Sequence, residues 1–189
     1  MPVIPSIVNR RARRALSEKP IPADVLGRIL DAARIAESCS NNQPWRFVAV
    51  SKEPHLSAVK EHLAGGNYWA RRSPCIVLAA TRPEDDCRLD DGRDYALFDL
   101  GLATQNLVLQ AVEEGLTAHP VAGFKPVGVK QAVGMPSEYV LITLVILGYP
   151  GATDGLSEKH LKQESSEQVR KDESETVAFN TWTFAARES

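Results

Sequence analysis

The chain has 189 residues, of which 43% are hydrophobic and 24% are charged, and these proportions are typical of a globular protein. Its 22 lysine and arginine residues against 24 aspartate and glutamate residues give a net charge of -2, which argues against a dedicated nucleic-acid-binding protein. No apolar run approaches the ~18 residues that a membrane span requires. The composition therefore predicts a folded protein whose partners include neither nucleic acid nor a membrane.

The first half of the chain predicts two helices and two strands. Apolar residues recur at helical spacing from Val25 to Ala36 and again from Leu56 to Leu63, which predicts a helix in each segment. Trp45–Ser51 and Cys75–Thr81 are rich in β-branched and other apolar residues, and both are predicted strands. The second of these is apolar at nearly every position, as expected of a strand in the middle of a sheet.

The second half continues the mixture of helices and strands. Pro83–Asp94 is acidic and lacks periodicity, so we predict an exposed loop, named here the acidic loop. Tyr95–Glu114 predicts the longest helix, and its apolar residues lie nearly all round it, as in a helix buried in a core or an interface. Thr117–Val121 is predicted to be extended, Val127–Val133 helical, and Tyr139–Leu147 the strongest strand of the chain.

Beyond Pro150 the chain becomes polar, and we predict a surface arm over residues 152–175. Thr176–Phe184 then turns apolar and β-prone, so it is predicted to be a strand that needs a sheet edge. Mixed helices and strands without strict alternation favour the α+β class. We predict a core over residues 1–151, with residues 152–189 forming an arm and a strand of the same single domain.

The cysteines and histidines predict no metal site. Cys39, Cys75 and Cys87 form no CxxC motif and the histidines stand far apart, which disfavours both a disulfide framework and a structural zinc site and favours a reducing cytoplasm. No other cysteine lies near Cys39 in sequence, so we interpret it as an inert, unpaired thiol. His119, which precedes a proline, is interpreted as a turn residue, with a residue that lines a pocket as the alternative.

Two polar segments are candidate ligand sites. Arg10–Arg14 holds four arginines in five residues, and because guanidinium groups match phosphate and carboxylate oxygens, the cluster favours an anionic ligand. A solvated basic face is the structural alternative. Ser38–Trp45 is a polar loop between a predicted helix and a predicted strand, which is either a capping turn or a functional loop. The motifs GxGxxG, GxxxxGK[ST], GxSxG and HExxH are absent.

The order of these segments resembles the nitroreductase family, whose members bind FMN and use NAD(P)H. The first matches are Arg10-Arg11-Ala12-Arg13-Arg14, Pro20-Ile21-Pro22, Ala32-Ala33 and Ser38-x-x-Asn41-x-Gln43-Pro44-Trp45. The further matches, to about residue 150, are Asp99-Leu100-Gly101-x-Ala103-x-Gln105-Asn106-Leu107, Gly115-Leu116, Ala122-Gly123-Phe124 and Leu147-Gly148-Tyr149-Pro150. Ala12, Leu16 and Glu37 depart from the family, which usually carries Ser, an aromatic residue and Pro there.

The resemblance implies a three-layer α/β/α sandwich whose mixed, mainly antiparallel sheet is completed by a C-terminal strand exchanged in a homodimer. It also implies an FMN-dependent oxidoreductase that takes hydride from NAD(P)H and reduces a small, aromatic acceptor of nitro or quinone type by a ping-pong mechanism. No protein side chain is then catalytic, since flavin N5 does the chemistry and Arg14 tunes it. The alternatives are a flavin-modifying or reductive dehalogenating enzyme of the same family, or a non-enzymatic anion- or nucleic-acid-binding module that uses Arg10–Arg14.

The resemblance assigns FMN to several separate parts of the chain. The arginine cluster would hold the phosphate and the pyrimidine side of the ring, with Arg14 near flavin N1 and O2. The loop around Ser38 would approach the FMN of a partner subunit, and Arg170 would return from the arm to a phosphate. The full predicted set of cofactor-binding residues is Arg10, Arg11, Ala12, Arg14, Ser38, Cys39, Ser40, Asn41, Gln43, Asn67, Ala122, Gly123 and Arg170.

Overall fold

The strands form one antiparallel sheet in the computed structural model, which describes residues 3–184. The strands are β1 (Trp45–Val50), β2 (Cys75–Thr81), β3 (Thr117–Val121) and β4 (Val140–Gly148), and they lie in the order β1-β2-β4-β3. Each neighbouring pair is antiparallel. The predicted α+β class is confirmed. The four described strands are all antiparallel, so the predicted mixed sheet would need a further strand that pairs in parallel.

Six α-helices surround the sheet within the described residues. They are α1 (Pro5–Asn9), α2 (Ala23–Arg34), α3 (His55–Glu61), α4 (Tyr95–Glu113), α5 (Pro126–Ala132) and α6 (Glu158–Ser165). Short 3-10 turns cover Cys39–Asn41, Gly65–Arg72, Pro83–Asp85 and Glu173–Glu175. The helices and strands predicted between residues 25 and 147 are all confirmed. No helix of residues 3–184 is long and apolar enough to cross a membrane.

The sheet lies between two layers of helices, which is why β2 is buried along its whole length. Its side chains alternate between the two faces. Ile76 and Leu78 pack in one apolar cluster with residues of α3 and α5, whereas Val77 packs in a second cluster with residues of α2 and α4. The three-layer α/β/α arrangement expected from the resemblance is therefore present. Because helices cover both faces of the sheet, a ligand site is expected at the loops that follow the strand ends.

Two predictions for the polar segments need correction. The acidic loop is not exposed throughout, because the Asp86 side chain is buried beneath it. The arm contains a helix, α6, which the sequence did not reveal because Leu161 is its single apolar residue and no apolar stripe forms. This helix begins at a favourable cap, where the Ser157 hydroxyl oxygen accepts a hydrogen bond from the His160 backbone N–H at 3.4 Å.

The segment Thr176–Phe184 forms no strand within this single chain. Its aromatic side chains are open to solvent, with Phe179 77% and Trp182 83% exposed. Both β1 and β3 have an unpaired outer edge in the described sheet. The segment therefore does not use an edge of its own sheet, and its addition to the sheet of a second copy stays a prediction.

Candidate functional site

The predicted arginine cluster lines an open recess together with the arm. Beyond the end of α1 the chain runs through Arg10–Arg14 without regular secondary structure. The recess holds about 260 Å³, and its other side is formed by Gln163 and residues 166–170. The fold thus brings Arg170 to the arginine cluster, as the resemblance implies. We name this feature the arginine recess.

The arginine recess concentrates positive charge. None of its arginines, namely Arg10, Arg11, Arg13, Arg14 and Arg170, forms an ion pair within residues 3–184. Partial burial lowers the pKa of Arg10, and repulsion from Arg170 and Arg11 lowers it further. Such a cluster of unneutralised guanidinium groups favours an anion with several oxygens.

Helix α6 is held against the arginine cluster by its own polar side chains. The Glu164 carboxylate accepts hydrogen bonds from the backbone N–H groups of Arg14 at 2.9 Å and Ala15 at 3.3 Å. Just beyond the helix, Gln168 Oε1 accepts a hydrogen bond from the Arg11 guanidinium at 3.3 Å. Neither contact was predicted, although the Ser157 cap could have indicated the helix that positions Glu164.

An aromatic stack connects the arginine cluster to the rest of the site. The Arg14 guanidinium lies 5.9 Å from the ring centroid of Trp69, whose ring stacks on His119 at a centroid distance of 4.7 Å. His119 Nδ1 in turn lies 3.0 Å from the backbone oxygen of Arg13. His119 is a buried residue of β3, so the interpretation as a turn residue was wrong. Burial lowers its pKa, and the charge of Arg14 acts in the same direction.

The next predicted pair, Asn67 and Gly123, is in direct contact. Asn67 Nδ2 donates a hydrogen bond to the Gly123 carbonyl oxygen at 2.8 Å, and the Ala64 backbone N–H donates to the same oxygen at 2.9 Å. A Cβ atom at residue 123 would lie 2.8 Å from Asn67 Nδ2, which is too close for an ordinary contact. A larger residue at position 123 would therefore displace the Asn67 side chain from its hydrogen bond. Ala122, beside Gly123, is exposed.

The predicted residues between Ser38 and Gln43, named here the Ser38 loop, form a separate group. Ser38 Oγ accepts a hydrogen bond from the Gln43 backbone N–H at 2.9 Å, and Gln43 Nε2 donates to the Asn41 carbonyl oxygen at 2.9 Å. Positive φ angles at Ser40, Asn41 and Gln43 fold the loop tightly. Within the described chain the loop makes no hydrogen bond to the arginine recess. The predicted site therefore divides into two parts.

The Ser38 loop is joined to the acidic loop by a covalent bond. Cys39 and Cys87 form a disulfide, with their Cα atoms 6.2 Å apart, so the interpretation of Cys39 as an unpaired thiol was wrong. The cysteines are 48 residues apart, and only the fold brings them together. The Cys39 backbone N–H donates to Asp99 Oδ2 at 2.8 Å. Burial raises the pKa of Asp99, and the neighbouring Asp86 adds to this effect.

The family is shown by the comparison with known proteins. The model of the nitroreductase family matches residues 7–67 and 52–149, which include all four described strands, helices α2 to α5 and every predicted site residue except Arg170. This chain belongs to the nitroreductase family.

Two relatives match most of the chain at low sequence identity. A protein of Thermus thermophilus named NADH dehydrogenase is 28% identical, and the match covers 83% of this chain and 90% of the relative. A protein of Bacillus subtilis named FMN reductase [NAD(P)H] is 23% identical, and the match covers 86% of this chain and 71% of the relative.

The fold is shared with solved structures over nearly the whole chain. A structure described as an oxidoreductase containing FMN superposes with a TM-score of 0.84 and 27% identity, over 98% of this chain and 95% of that chain. This overlap includes the arm, whose helix α6 closes one side of the arginine recess.

Proposed function

We propose that this protein is an FMN-dependent oxidoreductase that takes reducing equivalents from NAD(P)H. The observation that carries the proposal is the arginine recess, where Arg170 and the Arg10–Arg14 cluster meet without an ion-pairing carboxylate within residues 3–184. Family membership supports the reaction class. The FMN in a structure with the same fold and the name of the Bacillus subtilis relative support the cofactor.

The residues of the arginine recess fit the phosphate of FMN. Burial lowers the pKa of Arg10, and repulsion from the guanidinium groups of Arg170 and Arg11 lowers it further. A phosphate dianion would offset this repulsion and accept charge-assisted hydrogen bonds from the same groups. The Ala12 side chain has no hydroxyl, so its backbone N–H is the group that could donate a hydrogen bond to the cofactor there.

The residues beyond the recess fit the flavin ring. Bound FMN supplies two-electron redox chemistry, and the protein binds it, orients it and adjusts its electron affinity. Gly123 presents backbone without a side chain, so a flat ring can approach it closely. Arg14, held over Trp69, places a positive charge where it can stabilise negative charge on a reduced ring.

We further propose that the acceptor is a small aromatic compound of nitro or quinone type. NAD(P)H and the acceptor would occupy one position in turn, which gives ping-pong kinetics. Tyr68, partly exposed in the turn Gly65–Arg72, would offer its ring to an aromatic acceptor, whereas Trp69 is buried against His119 and would support the site from behind. Flavin modification and reductive dehalogenation are the alternative reactions that a panel of acceptors would distinguish.

A homodimer with FMN between its subunits is the proposed assembly, acting in the cytoplasm. The Ser38 loop makes no hydrogen bond to the arginine recess within the described residues, so it is available to complete the recess of a second copy. The exposed Thr176–Phe184 segment would add to the edge of the partner's β1. The other edge, β3, contains Pro120, which has no N–H to offer to an added strand.

The cofactor is tested by the absorbance of the purified full-length protein and by binding to the apoprotein. We expect a flavin spectrum, with FMN released on denaturation. Arg10→Ala should weaken the binding of FMN by about 1.5–3 kcal/mol. The binding of riboflavin, which has no phosphate, should stay nearly unchanged. Arg34→Ala, at an exposed arginine of α2, is the matched control. An apoprotein that binds neither flavin would overturn the proposal, and equal losses for both would place Arg10 outside the phosphate site.

The assembly is tested by sedimentation of the full chain and of a chain that ends at Glu175. The full chain should sediment as a dimer with bound FMN. The shortened chain should dissociate more readily and lose flavin. A full chain that is monomeric with FMN bound, or a shortened chain that is as dimeric and as yellow as the full chain, would contradict strand exchange.

A further inference from the structure

The loops that meet at Cys39 and Cys87 bring together potential metal ligands of two kinds. Cys39 belongs to the Ser38 loop, whereas Asp86 and Cys87 belong to the acidic loop. The two sulfur atoms and a carboxylate oxygen of Asp86 all lie within 4.8 Å of one another. Two thiolates and a carboxylate form a donor set that suits zinc and similar divalent cations.

Two buried carboxylates beside the sulfur pair lack a cationic partner. Asp86 is 8% exposed and Asp99 is fully buried, and neither forms an ion pair within residues 3–184. Asp86 Oδ2 and Asp99 Oδ1 also lack a hydrogen-bond partner there. The nearby arginines Arg46 and Arg82 pair with Asp85 instead. Burying such groups is costly unless a proton, a hydrogen bond or a cation compensates, and a cation bound beside the sulfur pair would compensate both carboxylates.

We propose that reduction of the Cys39–Cys87 disulfide creates a binding site for a divalent cation of the zinc type. The Cys39 and Cys87 thiolates and the Asp86 carboxylate would be its ligands, with Asp99 or a water molecule in the fourth position. Asp99 also accepts the hydrogen bond from the Cys39 backbone, so it orients the ligand loop from behind. This site does not depend on the proposed flavin chemistry.

The two states of the sulfur pair exclude each other. A dithiol reductant transfers two electrons and two protons to the Cys39 and Cys87 sulfurs, which breaks their bond while the reductant becomes a disulfide. When Zn²⁺ binds, both thiol protons leave to solvent and two zinc–sulfur bonds form. Either state links the Ser38 loop to the acidic loop. In a reducing compartment, where a disulfide does not persist, the metal would keep that connection.

Zinc binding to the full-length protein tests this proposal directly. The protein is reduced with a phosphine under nitrogen, desalted, and titrated with Zn²⁺ in competition with a chromophoric chelator. We expect one Zn²⁺ per reduced chain and none per oxidised chain. Cys87→Ser should abolish binding. Cys75→Ser should preserve it, because Cys75 is buried in the sheet and its burial raises the pKa of that thiol to about 12.

A second measurement on the unmodified chain avoids variants that fail to fold. Zn²⁺ should protect Cys39 and Cys87 of the reduced protein from alkylation, as read by peptide mass spectrometry. Asp86→Asn should weaken the binding of Zn²⁺ to the reduced chain at least about tenfold. Asp90→Asn, at an exposed position of the same loop, should leave this binding unchanged.

Three results would overturn the proposal. These are a reduced, natively folded chain that binds no Zn²⁺, equal binding by the oxidised and reduced chains, and unchanged alkylation in the presence of Zn²⁺. If reduction unfolds the chain, Zn²⁺ must restore the native near-ultraviolet circular dichroism, and failure to do so also overturns it.

Discussion

The Glu164 carboxylate accepts a hydrogen bond from the backbone N–H of Arg14 at 2.9 Å, and this contact fixes helix α6 against the arginine recess. The same carboxylate accepts the Ala15 N–H, so one side chain satisfies two successive backbone donors. The position of Arg14 therefore depends on the arm as well as on the core. This dependence can be measured.

Glu164→Ala should release α6 from the arginine cluster. Hydrogen bonds to a charged acceptor contribute about 1.5–3 kcal/mol, so the amides of Arg14 and Ala15 should exchange with solvent about tenfold faster or more. Hydrogen exchange followed by mass spectrometry measures this change. Glu158→Ala, in the same helix, is the control because Glu158 forms no side-chain hydrogen bond or ion pair within the described chain. Unchanged exchange in Glu164→Ala would show that the arm is held by other contacts.

Arg14→Ala should lower the reduction potential of bound FMN. Reduction places negative charge on the flavin, and a nearby guanidinium stabilises that charge. An interaction of ~1.4 kcal/mol corresponds to about 30 mV for a two-electron couple. Spectroelectrochemistry measures the potential, and Arg14→Lys, which keeps the charge, should restore most of it. If the alanine and lysine variants share the wild-type potential, Arg14 lies outside the flavin site.

Gly123→Ala should destabilise the site, because its Cβ would lie 2.8 Å from Asn67 Nδ2. Inserting one methyl group into a packed position typically costs about 1–3 kcal/mol. We expect a lower Tm and loss of the hydrogen bond from Asn67 to residue 123. Gly66→Ala is a matched control, since nothing lies within 4 Å of a Cβ there. Equal Tm values for the two variants would mean that Asn67 moves without cost.

The buried His119 should make stability depend on pH. An unfolded histidine titrates near pH 6.5, and burial lowers the pKa of His119 below that value. Between the two pKa values the unfolded chain binds more protons, so the free energy of unfolding falls as the pH decreases below about 6.5. Urea unfolding at several pH values should show this slope, and His119→Gln should reduce it. His55→Gln, at an exposed histidine, is the matched control.

Local sequence patterns predicted most helices and strands well because these elements carry strong periodicity. The apolar run Cys75–Thr81 became the buried central strand, and Tyr139–Leu147 became β4 nearly to the residue. Helix α6 was missed because its polar sequence gives no apolar stripe. Thr176–Phe184 has a strand-like composition, yet a strand also requires a partner, and composition does not identify one.

The site was predictable only where the resemblance supplied long-range information. Spacing alone could not bring Arg170 to Arg10, or Cys87 to Cys39, because those contacts depend on how the arm and the acidic loop fold back. The sequence interpretation of Cys39 was wrong because Cys87 is distant in sequence and close only in the fold. Asn67 and Gly123 were each predicted as site residues, but the hydrogen bond between them was not predicted.

The position of the exposed aromatic segment orders events during synthesis. The last described strand ends at Gly148, and the exposed side chains of Phe179 and Trp182 follow it in the chain. During synthesis all four described strands therefore leave the ribosome before these side chains do. The strands can pair with one another before the aromatic side chains are available to compete for a sheet edge.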